Sequence, residues 1–194
     1  MILGAGKSSL FQAILRLIEP SNTKGTILID GIDINTLTLN QLRSHIVIVP
    51  QVPSLFSGTI RYNLDPFNNH TEYECYAALE AVQMKDRICN YSSGLSLIVN
   101  ESGIHFSAGE SQLICLARAI LKKTKLLLID EGTANINQEI DSIIQEVILN
   151  RFRDSTVLTI AHRLNTIEKY DRIIVMEQGE VVDFDVPKRI IKKT

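Results

Sequence analysis

Residues 4–9 read Gly4-Ala5-Gly6-Lys7-Ser8-Ser9, and this stretch decides the fold. It is the closing half of a phosphate-binding loop of the form G-x-x-x-x-G-K-[ST], with Met1 where the loop's first glycine would stand. Such a loop works because successive backbone N–H groups point into one concavity and a helix N-terminus lies behind it. The lysine, Lys7, reaches the β and γ phosphates, and the Ser8 hydroxyl is placed for Mg²⁺. A helix should leave the loop, and Leu10, Ile14, Leu17 and Ile18 repeat at helical spacing until Pro20 stops them. The strand that should feed the loop has no counterpart in the sequence, so the expectation is an N-terminally truncated unit.

Working outward, 194 residues with 45% hydrophobic and 22% charged side chains suffice for one domain with a core. A formal charge of −2 gives no electrostatic reason to invoke nucleic acid or an anionic membrane surface, so phosphate recognition must be local. Cys75, Cys89 and Cys115 show no C-x-x-C spacing and an odd count. They read as reduced thiols of a cytosolic compartment rather than a disulfide frame or a zinc site. No apolar run reaches the ~20 residues that cross a bilayer, so the chain is expected to be soluble by itself and not to insert into a membrane.

Two strands are predicted next, at residues 26–30 (TILID) and 45–49 (HIVIV), the second an unbroken apolar run of the kind buried on both faces. A short helix is predicted at 38–44. From residue 53 to 121 Pro, Asn and Ser punctuation gives way to helical stretches near 72–84 and 111–121, an inserted helical subdomain. A buried strand follows at 126–129 (LLLI), then a helix at 139–152, a strand at 155–160, and a strand pair at 172–177 and 180–184 turning at Gln178 and Gly179. Alternation of strand and helix predicts an α/β fold: a largely parallel sheet with helices on both faces. The domain division expected is a core of residues 1–52 and 122–194 around a helical subdomain of residues 53–121.

Chemistry-bearing residues fall at strand ends. Asp130 and Glu131 close the LLLI strand, at the edge where open α/β sheets bind ligands. An Asp there can hold Mg²⁺ and the neighbouring Glu can polarise a water that attacks the γ-phosphate. Alone, such a pair reads more simply as a solvated turn; a phosphate loop upstream reverses that preference. In the segment 106–112 (FSAGESQ), Ser107 can cap the helix that follows and Gly109 lets another backbone approach. Gln51 and His162 each follow a predicted strand.

Together these residues resemble the nucleotide-binding domain of an ATP-binding cassette transporter, over essentially the whole chain. GAGKSS matches the Walker A loop, Gln51 the Q-loop and FSAGESQ the signature segment. LLLIDE matches Walker B, residues 134–137 (ANIN) the D-loop and His162 the switch histidine. FSGTIRYNLDPFN (56–68) and TIAHRLNTI (159–167) are similar to the second such domain of subfamily C, the multidrug-resistance-associated type. The resemblance implies a P-loop, RecA-like core, ATP and Mg²⁺ as ligands, and Ser8, Gln51 and Asp130 at the metal. It implies Gly4, Ala5, Gly6, Lys7, Ser8 and Ser9 around the phosphates, Glu131 as general base and His162 on the γ-phosphate. Ser107 and Gly109 would act in trans on the nucleotide of a second, head-to-tail nucleotide-binding domain. Transmembrane domains of the same or a partner chain would hold the assembly on the cytoplasmic face of a membrane, and organic anions or xenobiotics would be exported. The alternative is a truncated, non-catalytic cassette that only pairs with another.

Departures from the family pattern are also legible. FSAGE stands where LSGGQ is usual, so Ala108 adds a methyl and Glu110 a negative charge near phosphate, a change expected to weaken the site on the partner. Asn137 replaces the usual D-loop Asp, and Gly132 the usual Ala after the catalytic Glu. Antiparallel strands and an adenine-stacking aromatic, usual upstream of the loop, have no counterpart.

Overall fold

In the computed structural model the described residues are 5–22, 24–99, 106–130, 137–161 and 167–192. Their elements run α1 (Lys7–Ile14), β1 (Leu28–Ile29), β2 (Ile32–Asp33), α2 (Leu39–Ser44), β3 (Ile46–Val49), β4 (Gly58–Thr59), α3 (Ile60–Leu64), α4 (Glu72–Ala81) and α5 (Lys85–Cys89). They continue with β5 (Ile98–Val99), α6 (Ala108–Leu121), β6 (Leu126–Asp130), α7 (Gln138–Arg151), β7 (Thr156–Ile160), β8 (Ile173–Glu177), β9 (Glu180–Asp185) and α8 (Pro187–Ile191). The chain divides into two units, residues 1–46 with 159–194, and residues 47–158.

In the first unit α1 buries Phe11 and Ile14 and then stops, well short of Pro20. Arg16 takes a left-handed conformation, φ 50°, and Leu17 lies 62% exposed instead of continuing the apolar face. The Leu17 N–H reaches back to Gln12 O at 2.8 Å and the Arg16 N–H to Ala13 O at 3.0 Å, a Schellman ending without glycine. Arg43 closes it, donating from Nε to Leu15 O and from Nη2 to Arg16 O, each 3.1 Å. These tertiary donors, invisible in the helical period, end the helix early. The strand expected at 26–30 shortens to β1, paired antiparallel with β2 through Asp30 and Gly31, whose φ values of 50° and 78° are those of an Asp-Gly hairpin turn. β8 and β9 pair the same way, turning at Gln178 (φ 49°) and Gly179 (φ 88°) as expected.

The second unit carries the larger core. β3, β6 and β7 form a parallel sheet in that order. β6 is central, and Leu126, Leu127, Leu128 and Ile129 are all buried. Among the described residues β3 is an edge strand, and the expectation of burial on both faces fails there: Ile48 is 42% exposed. Against the sheet and among themselves pack Ile60 and Leu64 of α3, Leu79 of α4, Leu113 and Leu116 of α6, and Ile144 and Ile148 of α7. Each fully buried side chain of this size contributes about 1.5–3 kcal/mol. Helix α4 ends at Ala81 rather than near residue 84, because Gln83 adopts φ 58° and the Met84 N–H turns back to Leu79 O at 2.8 Å. α6 begins at Ala108, three residues before the periodicity is visible, because Ser107 caps it. The fold is thus the α/β class with a parallel sheet that the alternation implied.

Two half-buried arginines organise the helices. Arg61 donates to Cys75 Sγ at 2.8 Å, to Asp65 Oδ2 at 3.4 Å and to the His70 carbonyl, drawing residues 65–70 round the end of α3. Arg118 of α6 donates from Nη2 to Asn63 Oδ1 at 2.7 Å and from Nε to the Asn63 carbonyl, and its guanidinium lies 5.5 Å from the Phe56 ring.

Candidate functional site

Helix α1 starts at a glycine for two separable reasons. Gly6 has φ 88°, a conformation that side chains resist, and a Cβ there would sit 3.2 Å from Gly179 Cα and 3.6 Å from Met176 Cε. The loop therefore rests directly on the β8–β9 turn. Among the described helices of eight or more residues, α1 alone lacks a side-chain cap; Thr71, Ser107 and Asn137 cap α4, α6 and α7. Its first turn carries no acidic residue either. First-turn N–H groups without a side-chain acceptor, beside the half-buried Lys7 and the exposed Ser8 and Ser9, form a donor set suited to a phosphate chain. Ala5 is 3% exposed, while Gly4 lies outside the described residues.

In the second unit the sheet aligns two expected residues. Gln51 is exposed, two residues past the C-terminal end of β3, and Asp130 is the half-buried last residue of the adjacent β6. A carboxamide oxygen and a carboxylate are hard oxygen donors of the kind Mg²⁺ takes. Among the described residues no group of three or more His, Cys, Asp or Glu converges. Glu131 and His162 lie outside the described residues.

The signature segment is built differently from α1. Ser107 Oγ accepts the Glu110 N–H at 3.2 Å, and Glu110 Oε2 accepts the Ser107 N–H at 2.8 Å, a reciprocal capping box. Ser107 stays exposed and keeps its own O–H to donate, while Gly109 is buried in the first turn. The Glu110 carboxylate, expected to face phosphate, instead turns back on its own helix, and its second oxygen accepts from Arg87 Nε of α5 at 3.2 Å. Arg87 also lies 5.8 Å from the Tyr91 ring centre. Sequence reasoning missed Arg87, Asn63 and Arg118. Arg118 had a signal, as the single charge within the apolar run 113–121, since a charge amid buried residues is there for a partner. For Arg87 there was none.

A sequence profile of the family described as ABC transporter matches residues 3–134, taking in the phosphate loop, Gln51, the signature helix and Asp130. The chain belongs to the ABC transporter family. Relatives include the ABC transporter C family member 8 of Dictyostelium discoideum, 47% identical over 97% of this cassette and 12% of that protein. The ATP-binding cassette sub-family C member 4 of Mus musculus is 50% identical over 95% and 14%. The bile pigment transporter 1 of Saccharomyces cerevisiae is 43% identical over 97% and 13%. The cassette thus spans about an eighth of the length of these relatives, which are of the multidrug-resistance-associated type. Among solved structures, a bacterial Atm1-family ABC exporter with ATP bound superposes with a TM-score of 0.89 at 33% identity, covering 99% of this cassette and 33% of that chain.

Proposed function

We propose that the chain is the ATP-binding and ATP-hydrolysing cassette of a larger exporter, in which hydrolysis drives transport across a membrane. The start of α1 carries this reading: a helix N-terminus without a side-chain cap, opened by a left-handed glycine and flanked by Lys7 and Ser8, matches a nucleotide phosphate chain in shape and charge. Likeness to an exporter with ATP bound supports it. Lys7 and the amides of the loop hold the β and γ phosphates, and Ser8, Gln51 and Asp130 would hold Mg²⁺. The chemistry such an ion would supply when bound is positive charge against that developing on the phosphate. Glu131 takes a proton from the attacking water and His162 orients the γ-phosphate. Positioning and charge neutralisation supply most of the rate in such a displacement.

Ser107 and Gly109 serve a second cassette, paired head to tail, whose nucleotide they cover. The helical residues 53–121 and the core residues 1–52 and 122–194 form the two parts of the cassette. It works at the cytoplasmic face, attached to transmembrane domains; no helix among the described residues is long and apolar enough to cross a membrane. Organic anions are the proposed cargo class, in keeping with a relative named for bile pigment transport.

Purified chain is expected to turn over Mg²⁺-ATP. Glu131→Gln abolishes turnover and keeps nucleotide binding, and Lys7→Ala loses both. Turnover that survives both substitutions, or a wild-type chain that binds no nucleotide, overturns the proposal.

A further inference from the structure

Glu110 places a carboxylate in the first turn of α6, beside the two residues proposed to receive a partner's phosphates. Left to itself there it would repel them. In the structure neither of its oxygens is left to itself: Oε2 is taken by the Ser107 amide at 2.8 Å and Oε1 by Arg87 Nε at 3.2 Å. Arg87 is a residue of α5, 23 positions earlier in the chain, and Ile88 beside it is fully buried, which fixes that helix in the core. Arg87 is further held against the Tyr91 ring at 5.8 Å. The cation therefore reaches the start of the signature helix from a separate, anchored element, and its charge is equal and opposite to the one Glu110 introduces.

We propose that Arg87 is a positioning residue of the trans nucleotide site: it cancels the Glu110 charge and keeps that carboxylate turned back into the cap, leaving the exposed Ser107 open to a phosphate. This rests on the head-to-tail reading above. Glu110 thereby remains a good helix cap without acting as an anion repellent. Removing Arg87 while keeping Glu110 frees one unit of negative charge at the phosphate-facing turn. A repulsion of ~1 kcal/mol corresponds to about fivefold in an equilibrium constant.

The test uses the full chain carrying Glu131→Gln, so that nucleotide is not consumed. Mg²⁺-ATP-dependent pairing of two copies is followed by light scattering, and binding of a fluorescent ATP analogue to the unpaired chain is measured separately. Arg87→Ala is expected to raise the ATP concentration needed for pairing about fivefold at low salt, with the deficit shrinking as the Debye length falls towards 3 Å near 1 M salt. Arg87→Ala combined with Glu110→Gln restores pairing, because glutamine keeps the capping box and drops the charge; Arg87→Lys stays near the parent. Binding of the analogue to the unpaired chain is unchanged throughout, since that reads the α1 site. Pairing that is unaffected by Arg87→Ala, or a double variant as impaired as Arg87→Ala alone, overturns the role of Arg87 and leaves the head-to-tail reading standing. A parent chain that binds nucleotide and never pairs overturns that reading, and the proposal with it.

Discussion

Replacing Asn63 by alanine should unfasten the loop after Gln51 from the signature helix, and its size can be worked from the structure. Asn63 is 2% exposed and its carboxamide is fully used. Oδ1 accepts from the Phe56 amide at 2.8 Å and from Arg118 Nη2 at 2.7 Å; Nδ2 donates to the carbonyls of Phe56 at 2.9 Å and Thr59 at 3.0 Å. A hydrogen bond to a charged group contributes about 1.5–3 kcal/mol and a neutral one about 0.5–1.5 kcal/mol. Phe56 lies 61% exposed, so its backbone groups regain water and recover part of the loss. The Arg118 guanidinium keeps the Asn63 carbonyl as a partner, which holds its share to the low end of its range. The net expectation is a destabilisation of about 2–4 kcal/mol. With a urea slope of about 2 kcal/mol/M, that moves the unfolding midpoint of the purified chain down by about 1–2 M. Arg118→Leu should be damaging too, and a double-mutant cycle should return a coupling of at least ~1 kcal/mol, because the two side chains share one network. A midpoint shift equivalent to less than ~1 kcal/mol, or two substitutions that add within ~0.5 kcal/mol, would refute the reasoning.

Other outcomes follow from single contacts. Gly6→Ala should lower thermal stability more than Gly179→Ala: both place alanine at φ 88°, a strain of about 1–2 kcal/mol, but only the Gly6 methyl meets backbone, at 3.2 Å. Equal losses in calorimetry would contradict the contact between loop and turn. Burial works to raise the Asp65 carboxyl, but N–H donors from His70 and Asn69 and the His70 ring outweigh it and hold Asp65 below the ordinary carboxylate range. A depressed folded pKa gives stability that is present above the unfolded value, about 3.9, and is lost as pH falls through the folded one. Asp65→Asn should therefore flatten the acid limb of stability below about pH 4, and an unchanged limb would refute the assignment. Burial pushes the Cys75 and Cys115 thiols up, while Cys89 is exposed. Mass-mapped alkylation at pH 8 should label Cys89 first, and comparable labelling of Cys115 would argue against the packing of α6.

The elements that sequence described well are those fixed by near neighbours. The apolar run of β6 announced a buried strand, the Gln178-Gly179 pair announced a turn, and Ser107 announced a cap. What sequence hid depends on partners far along the chain. The end of α1 is set by Arg43, 28 residues beyond the Leu15 carbonyl it binds, and not by Pro20. β3 has the composition of a central strand, yet its place at the edge of the described sheet leaves Ile48 in solvent. At the candidate site the residue types and their order were readable, while the direction of the Glu110 carboxylate was not. Its orientation is decided by Arg87, and nothing local to residues 106–112 encodes that.

The contact between Gly6 and the β8–β9 turn has a practical reach. Residues 178 and 179 form a surface hairpin tip downstream of every motif, the kind of place chosen for epitope tags, fluorescent insertions or affinity handles. Here the tip is also the floor on which the phosphate loop is moulded, with Gly179 Cα 3.2 Å from where a Gly6 Cβ would be. An insertion at that tip would act as a distant mutation of the proposed nucleotide site, and a label meant to be silent belongs elsewhere on the cassette.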